Sequence, residues 1–89
     1  MPLQILSSPS APEEVAEKLR RAIAEAIPGA AAEVDATGAR HFEIRVTSEV
    51  FAGKSRVAQQ RLVYAAIAHL MKGDEALVHA VDQLETRVP

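Results

Sequence analysis

Residues 41–47 alternate between polar and apolar side chains, and this short pattern restricts the fold of the whole chain. The apolar positions are Phe42, Ile44 and Val46, and polar or charged residues separate them. Successive side chains of a strand point to opposite faces, so the alternation predicts a sheet with one buried face. A chain of 89 residues has room for only one small domain to cover that face.

A first segment with helical periodicity precedes the strand. Its apolar positions are Val15, Leu19, Ala22, Ile23, Ala26 and Ile27. Ser10 and Glu13 have capping-box spacing at the start of this helix, and Pro28-Gly29 ends it.

A second helix is predicted after residues 51–55, with Ser55 as its N-cap. We expect Val57 to belong to a short separate turn, and Gly73-Asp74 to stop the helix. The apolar positions of this helix are Leu62, Val63, Ala66, Ile67, Leu70 and Met71.

Two further strands complete the predicted order. A weak pattern at Glu33–Ala36 precedes a turn at Thr37–Arg40, which favours a hairpin, and Leu77–Leu84 predict a final strand. The order is helix, strand, strand, one or two helices, strand. It predicts an α+β fold with a three-stranded sheet covered by helices on one face. Residues 1–9 are expected to be a flexible N-terminal tail, and residues 10–89 a single domain.

Composition excludes several classes of function. The chain has no cysteine, so it has no disulfide, no thiol nucleophile and no iron–sulfur cluster that it could hold alone. The cytoplasm is the expected compartment. No apolar run approaches the roughly 18 residues of a membrane span. The acids form no paired-carboxylate or Ser/His/Asp arrangement, so we do not expect an enzyme. The net charge of −2 argues against a nucleic-acid binder that works by bulk charge.

Residues 50–73 depart from the acidic average because they contain no Asp or Glu. Their cations are Lys54, Arg56, Arg61 and Lys72. Gly53-Lys54-Ser55 resembles the end of a phosphate-binding P-loop, but Ser48 stands where that motif needs glycine, so nucleotide hydrolysis is not expected. Lys54 and Arg56 flank a predicted helix N-terminus, where the helix dipole disfavours cations. They indicate either an anionic docking partner or two solvated side chains.

The three histidines are the candidate metal ligands. His69 lies off the apolar stripe of the second helix and is expected at the surface. His41 starts the alternating strand on the face opposite Phe42 and is expected to be exposed. His79 is expected inside the final strand, buried or half-buried, where it needs a hydrogen-bonding partner. Spacing alone leaves His79 as either a structural histidine or a ligand.

Four ordered segments resemble the BolA family. They are His-Phe-Glu-Ile-Arg-Val at 41–46, Phe-Ala-Gly-Lys at 51–54, Arg-Leu-Val-Tyr at 61–64 and Val-His-Ala-Val at 78–81. The likeness covers residues 15–85, and Ser55-Arg56-Val57 with Gln60 incline it toward the YrbA-like branch. The resemblance implies an αββαβ or αββααβ fold similar to a type II KH domain.

The resemblance also implies a partnership with monothiol glutaredoxins, in which a [2Fe–2S] cluster is bridged by the glutaredoxin cysteine, glutathione and a BolA histidine. The family's ligand histidine falls on His79. The isolated chain, a monomer or weak homodimer, is expected to bind no cluster. The family's usual Cys or His in the first strand–strand loop is missing from residues 37–40, which leaves His41 as the nearby candidate for a second ligand. The expected docking residues are Gly53, Lys54, Ser55, Arg56 and Arg61.

The resemblance equally implies a second hypothesis, a DNA-binding regulator of stress response and cell morphology. Lys54, Arg56 and Arg61 would then contact phosphates. The Arg-His-Arg segment common in the family is Gln59-Gln60-Arg61 here, which counts against DNA binding. A third reading, an interaction domain without a cluster, follows if the missing loop ligand is decisive.

Overall fold

The computed structural model describes residues 11–73 and 76–89, and the expected tail lies outside them. Helix α1 (Pro12–Ala26) precedes strands β1 (Ala31–Gly38) and β2 (His41–Thr47), and helix α2 (Arg56–Ile67) precedes strand β3 (Ala80–Arg87). Short 3-10 turns at residues 49–51 and 68–70 flank α2. In the described ranges, neither helix is long and apolar enough to cross a membrane.

The central strand of the sheet is β2, with β1 and β3 on its two sides. β1 pairs with it antiparallel, as a tight hairpin requires. β3 pairs with it parallel, because α2 carries the chain back across the sheet before β3 begins. The predicted α+β class and the three-stranded sheet are confirmed.

Both helices pack on the buried face of the sheet. The fully buried apolar residues of this core include Val15, Leu19, Ile23, Phe42, Ile44, Val46, Phe51, Val63, Ile67 and Val78. The alternation predicted for β2 is therefore confirmed, residue by residue. On α1 the stripe differs slightly from the prediction, since Ala16 is buried and Ala26 is exposed.

The opposite face of the sheet is open and charged. On this face Arg45 donates hydrogen bonds to Glu33 at 2.9 Å and to Asp35 at 2.6 Å. Both hydrogen bonds raise the pKa of Arg45, and the one to Asp35 has the larger effect. The acids on the open face are Glu33, Asp35, Glu43, Asp82 and Glu85, and its bases are Arg45 and Arg87. The open face is therefore acidic.

The ends of the helices correct three predictions. The N-cap of α1 is Ala11, which has no capping side chain, whereas Ser10 lies outside the described residues. The capping position is therefore Ala11 and not the predicted Ser10, and α1 begins with a proline, which suits the first helical position because the N–H there would have no partner. Val57 lies in the first turn of α2 and not in a separate turn. α2 ends at Ile67, and a 3-10 turn replaces its expected last residues. The predicted N-cap Ser55 is confirmed, since its hydroxyl accepts the N–H of Ala58 at 3.1 Å.

The strand boundaries also differ from the prediction. β1 is longer and includes Thr37 and Gly38, which were expected in the turn. β3 begins at Ala80, three residues later than expected. The apolar residues that predicted an earlier start lie in a loop and pack against the core. Among them Val78 is fully buried, and its N–H donates to the carbonyl of Leu70 at 3.1 Å.

Gln59 ties the segment before α2 to the end of β3. Its amide nitrogen donates to the carbonyls of Phe51 and Lys54 at 3.0 and 3.1 Å. Its amide oxygen accepts a hydrogen bond from the Thr86 hydroxyl at 2.6 Å. One half-buried side chain thus holds a loop, a helix and a strand together.

We expect Gln59→Ala to lower the free energy of unfolding by about 1–3 kcal/mol, because it leaves partly buried polar groups without partners. Gln60→Ala is the matched control and should change it by less than about 0.5 kcal/mol. Urea unfolding followed by circular dichroism measures both values. Equal effects of the two substitutions would contradict the role given to Gln59.

Candidate functional site

The sheet register brings two of the three histidines to one end of the sheet. β2 begins at His41, which pairs with Ala80 at the start of β3. The carbonyl of Arg40 accepts the backbone N–H groups of His79 and Ala80 at 2.8 and 3.2 Å. His79 therefore lies beside the β1–β2 turn, although it is 39 residues from Arg40 in the sequence.

His79 is exposed and precedes β3, so the predicted buried or half-buried position inside the final strand is wrong. Val78 takes the buried position in this loop, and the next side chain faces solvent. The imidazole still has a partner, because its Nε2 lies 3.2 Å from Nη1 of Arg40.

His41 begins β2 as predicted, and its side chain is 45% exposed. Its Nδ1 lies 3.1 Å from Oδ1 of Asp82. The other carboxylate oxygen of Asp82 accepts a hydrogen bond from the Thr37 hydroxyl at 2.8 Å. The pKa of Asp82 is lowered by the Thr37 hydrogen bond first and the His41 hydrogen bond second. We call Thr37, Arg40, His41, His79 and Asp82 the sheet-start site.

Thr37, Arg40 and Asp82 are the members of the sheet-start site that sequence reasoning missed. The pairing of β2 with β3 shifts register between Val81 and Gln83, which leaves Asp82 as an extra residue in β3. Arg40 reaches His79 only because the two strands start at the same end. Neither contact leaves a signal in residue spacing.

The sheet-start site offers imidazole nitrogens but no complete coordination shell. Among the residues that the structure describes, no group of three or more His, Cys, Asp or Glu side chains could hold a metal ion. A shared iron–sulfur cluster fits this donor set, because imidazole is an accepted iron ligand and the other ligands would come from a partner. The remaining histidine, His69, is exposed on a 3-10 turn, as predicted for a surface residue.

The predicted docking residues form a second exposed surface, which we call the α2 basic surface. Its members are Gly53, Lys54, Ser55, Arg56 and Arg61, all of them exposed. Its three cations make no ion pair with any other described residue. Two apolar side chains of α2, Val57 and Tyr64, are 55% and 40% exposed nearby on the helix. Since Val57, Arg61 and Tyr64 are spaced four and three residues apart, they share one helix face.

The structure does not bring the start of the α2 basic surface together with the histidines. Gln59 links Lys54 to Thr86, near the end of β3, whereas His79 lies just before its start. Thr86 lies six positions after Ala80 along β3, a span of roughly 20 Å. The two candidate surfaces therefore occupy different parts of the domain.

Comparison with known proteins gives consistent matches. A family model described as BolA-like protein matches residues 21–89. BolA1 from Arabidopsis thaliana superposes with a TM-score of 0.70 at 20% identity, over 83% of this chain and 90% of that one. A bolA protein homologue from Coxiella burnetii superposes with a TM-score of 0.63 at 29% sequence identity, over 82% of this chain and 88% of that one. The XC975 protein superposes with a TM-score of 0.57 at 34% sequence identity, over 83% of this chain and 88% of that one. A search of curated proteins finds no match.

We expect Thr37→Val to raise the pKa of Asp82 toward its ordinary value of 3.8, because the substitution removes the hydroxyl that stabilises the carboxylate. A carboxyl whose pKa is depressed by folding contributes stability above its unfolded pKa of about 4, and this contribution is lost as the pH falls through the folded value. An NMR titration of the Asp82 carboxyl carbon measures the change. Thr47→Val, at the other end of β2, should leave the titration unchanged. An equal shift in both variants would contradict the assignment.

Proposed function

The chain belongs to the BolA-like protein family, and from this membership we propose that it pairs with a monothiol glutaredoxin and contributes histidine to a shared [2Fe–2S] cluster. In this proposal the chain is a binding module rather than an enzyme, and it works in the reducing cytoplasm. The glutaredoxin cysteine and glutathione supply the sulfur ligands that a chain without cysteine lacks.

The observation that carries this proposal is the exposure of His79 at the edge of the domain. A side chain in the core could not reach a ligand held by another protein, but an exposed imidazole that precedes β3 can. The described residues of the sheet-start site also form no group of three or more side chains that could hold a metal ion, so a partner would have to supply the rest of the coordination shell.

The hydrogen bond of His41 supports a role for it as a second ligand. Asp82 accepts a hydrogen bond from the Nδ1–H of the tautomer protonated there, which leaves Nε2 as the nitrogen with a free lone pair. Metal-binding histidines commonly donate their other ring N–H to a carboxylate in this way. His41 is therefore oriented as such a ligand, although it starts a strand and does not lie in the preceding turn.

The α2 basic surface supports contact with an acidic protein partner. Arg61 lies between two exposed apolar residues, Val57 and Tyr64, on one helix face. Tyrosine and arginine are enriched at the centres of protein interfaces. The unpaired cations around them favour a partner with carboxylates, whose approach they would accelerate.

We expect a [2Fe–2S]-loaded monothiol glutaredoxin to change its visible absorption and circular dichroism when this chain is added, with saturation at one equivalent. His79→Ala should abolish the change, because the iron loses its nitrogen ligand. His41→Ala should weaken it if His41 is the second ligand. His69→Ala is the matched control and should behave as the wild type. No spectral change with the wild-type chain would overturn the proposal.

A DNA-binding regulator of stress response is the second candidate, favoured by the unpaired cations of the α2 basic surface. The acidic open face of the sheet would be repelled by DNA, so binding would be limited to α2. Three phosphate contacts predict a slope of about −3 for the logarithm of affinity against that of salt concentration.

We expect Arg61→Ala to reduce this slope by about 1 if the DNA hypothesis holds. Arg21→Ala, an exposed arginine on α1, is the matched control and should leave the slope unchanged. Fluorescence anisotropy with duplex DNA measures both. Absence of binding at low salt would exclude this candidate.

A further inference from the structure

Arg40 contacts one ring nitrogen of His79 through its guanidinium group. Nη1 of Arg40 lies 3.2 Å from Nε2 of His79. A guanidinium has only N–H donors and no acceptor, so the imidazole nitrogen has to accept in this hydrogen bond. This hydrogen bond therefore favours the neutral tautomer that carries its proton on Nδ1, with the lone pair of Nε2 facing Arg40.

The backbone fixes Arg40 against His79 independently of the side chain. Arg40 has a φ of +63°, an uncommon value for a residue other than glycine. In this conformation its carbonyl accepts the N–H groups of His79 and Ala80. The two residues are thus joined by main-chain and side-chain hydrogen bonds.

We propose that Arg40 is a positioning residue for His79, which selects the tautomer with an unprotonated Nε2 and covers that nitrogen until a metal replaces the guanidinium. This inference rests on the proposed function, in which His79 is a ligand. It assigns a role to the turn where the family's usual Cys or His is missing.

A carboxylate of the partner is the group best suited to release this cover. The Arg40–His79 bond is a single exposed contact to a neutral acceptor. A carboxylate can accept two parallel, charge-assisted hydrogen bonds from the same guanidinium, which are stronger. A partner carboxylate beside its metal ligands would therefore hold Arg40 away and leave Nε2 open.

The tautomer of His79 tests the contact without any metal or partner. Long-range proton–nitrogen NMR of the full chain at about pH 8, above the ordinary histidine pKa of about 6.5, distinguishes the two ring nitrogens. We expect His79 to be protonated mainly on Nδ1 in the wild type, and Arg40→Gly to shift it toward the Nε2-protonated form. Glycine accepts the positive φ, so the turn is preserved. His69 is the internal reference and should not change. The same tautomer populations at His79 in both proteins would overturn the inference.

The covering of Nε2 is tested with Zn²⁺ alone in the same spectra. Arg40→Gly should strengthen Zn²⁺ binding at His79 about fivefold, the order expected when one competing hydrogen bond is lost. Binding at His69 should be equal in the two proteins. Unchanged or weaker binding at His79 in the variant would show that Arg40 does not cover this nitrogen.

The failures of the two proposals are distinguishable. If Arg40→Gly changes the tautomer and Zn²⁺ binding but the wild type leaves the spectrum of loaded glutaredoxin unchanged, the role of Arg40 stands and the cluster proposal fails. If the spectrum of loaded glutaredoxin changes with the wild type and not with His79→Ala, but the tautomer of His79 is the same with and without Arg40, the cluster proposal stands and the role of Arg40 fails.

Discussion

The parallel pairing of β2 with β3 is the constraint on which the site depends. Parallel strands begin at the same end of a sheet, so the residues at the starts of β2 and β3 become neighbours. α2 makes this pairing possible because it returns the chain to that end over the buried face. Without this crossover, His41 and His79 would be distant in space as they are in sequence.

The same pairing explains why the site is exposed although the core is close by. Phe42 and Val78 are fully buried next to His41 and His79 along the chain. In each pair one side chain anchors the backbone in the core and its neighbour faces solvent. The histidines are therefore held on well-anchored backbone, which suits the role proposed for them.

The sequence predicted those features that local pattern determines. The alternation around Ile44 identified the central strand, and the Ser55 hydroxyl marked the start of α2. The start of β3 was misplaced because Val78 is apolar for packing in a loop, and periodicity does not distinguish such a residue from one in a strand. The contacts of Arg40 and Asp82 escaped prediction because they arise from register between distant segments, including a bulge.

The charge distribution of the domain has a consequence for its orientation in an external electric field. Acids dominate the open face of the sheet, whereas unpaired cations lie along α2. The molecule is therefore an electric dipole although its net charge is only −2. In the field of an anionic protein such a dipole orients its α2 side toward that protein before the surfaces touch, so a larger fraction of encounters has the productive orientation. Added salt would shorten the range of this torque and slow association, while the contacts of the docked complex would be affected less.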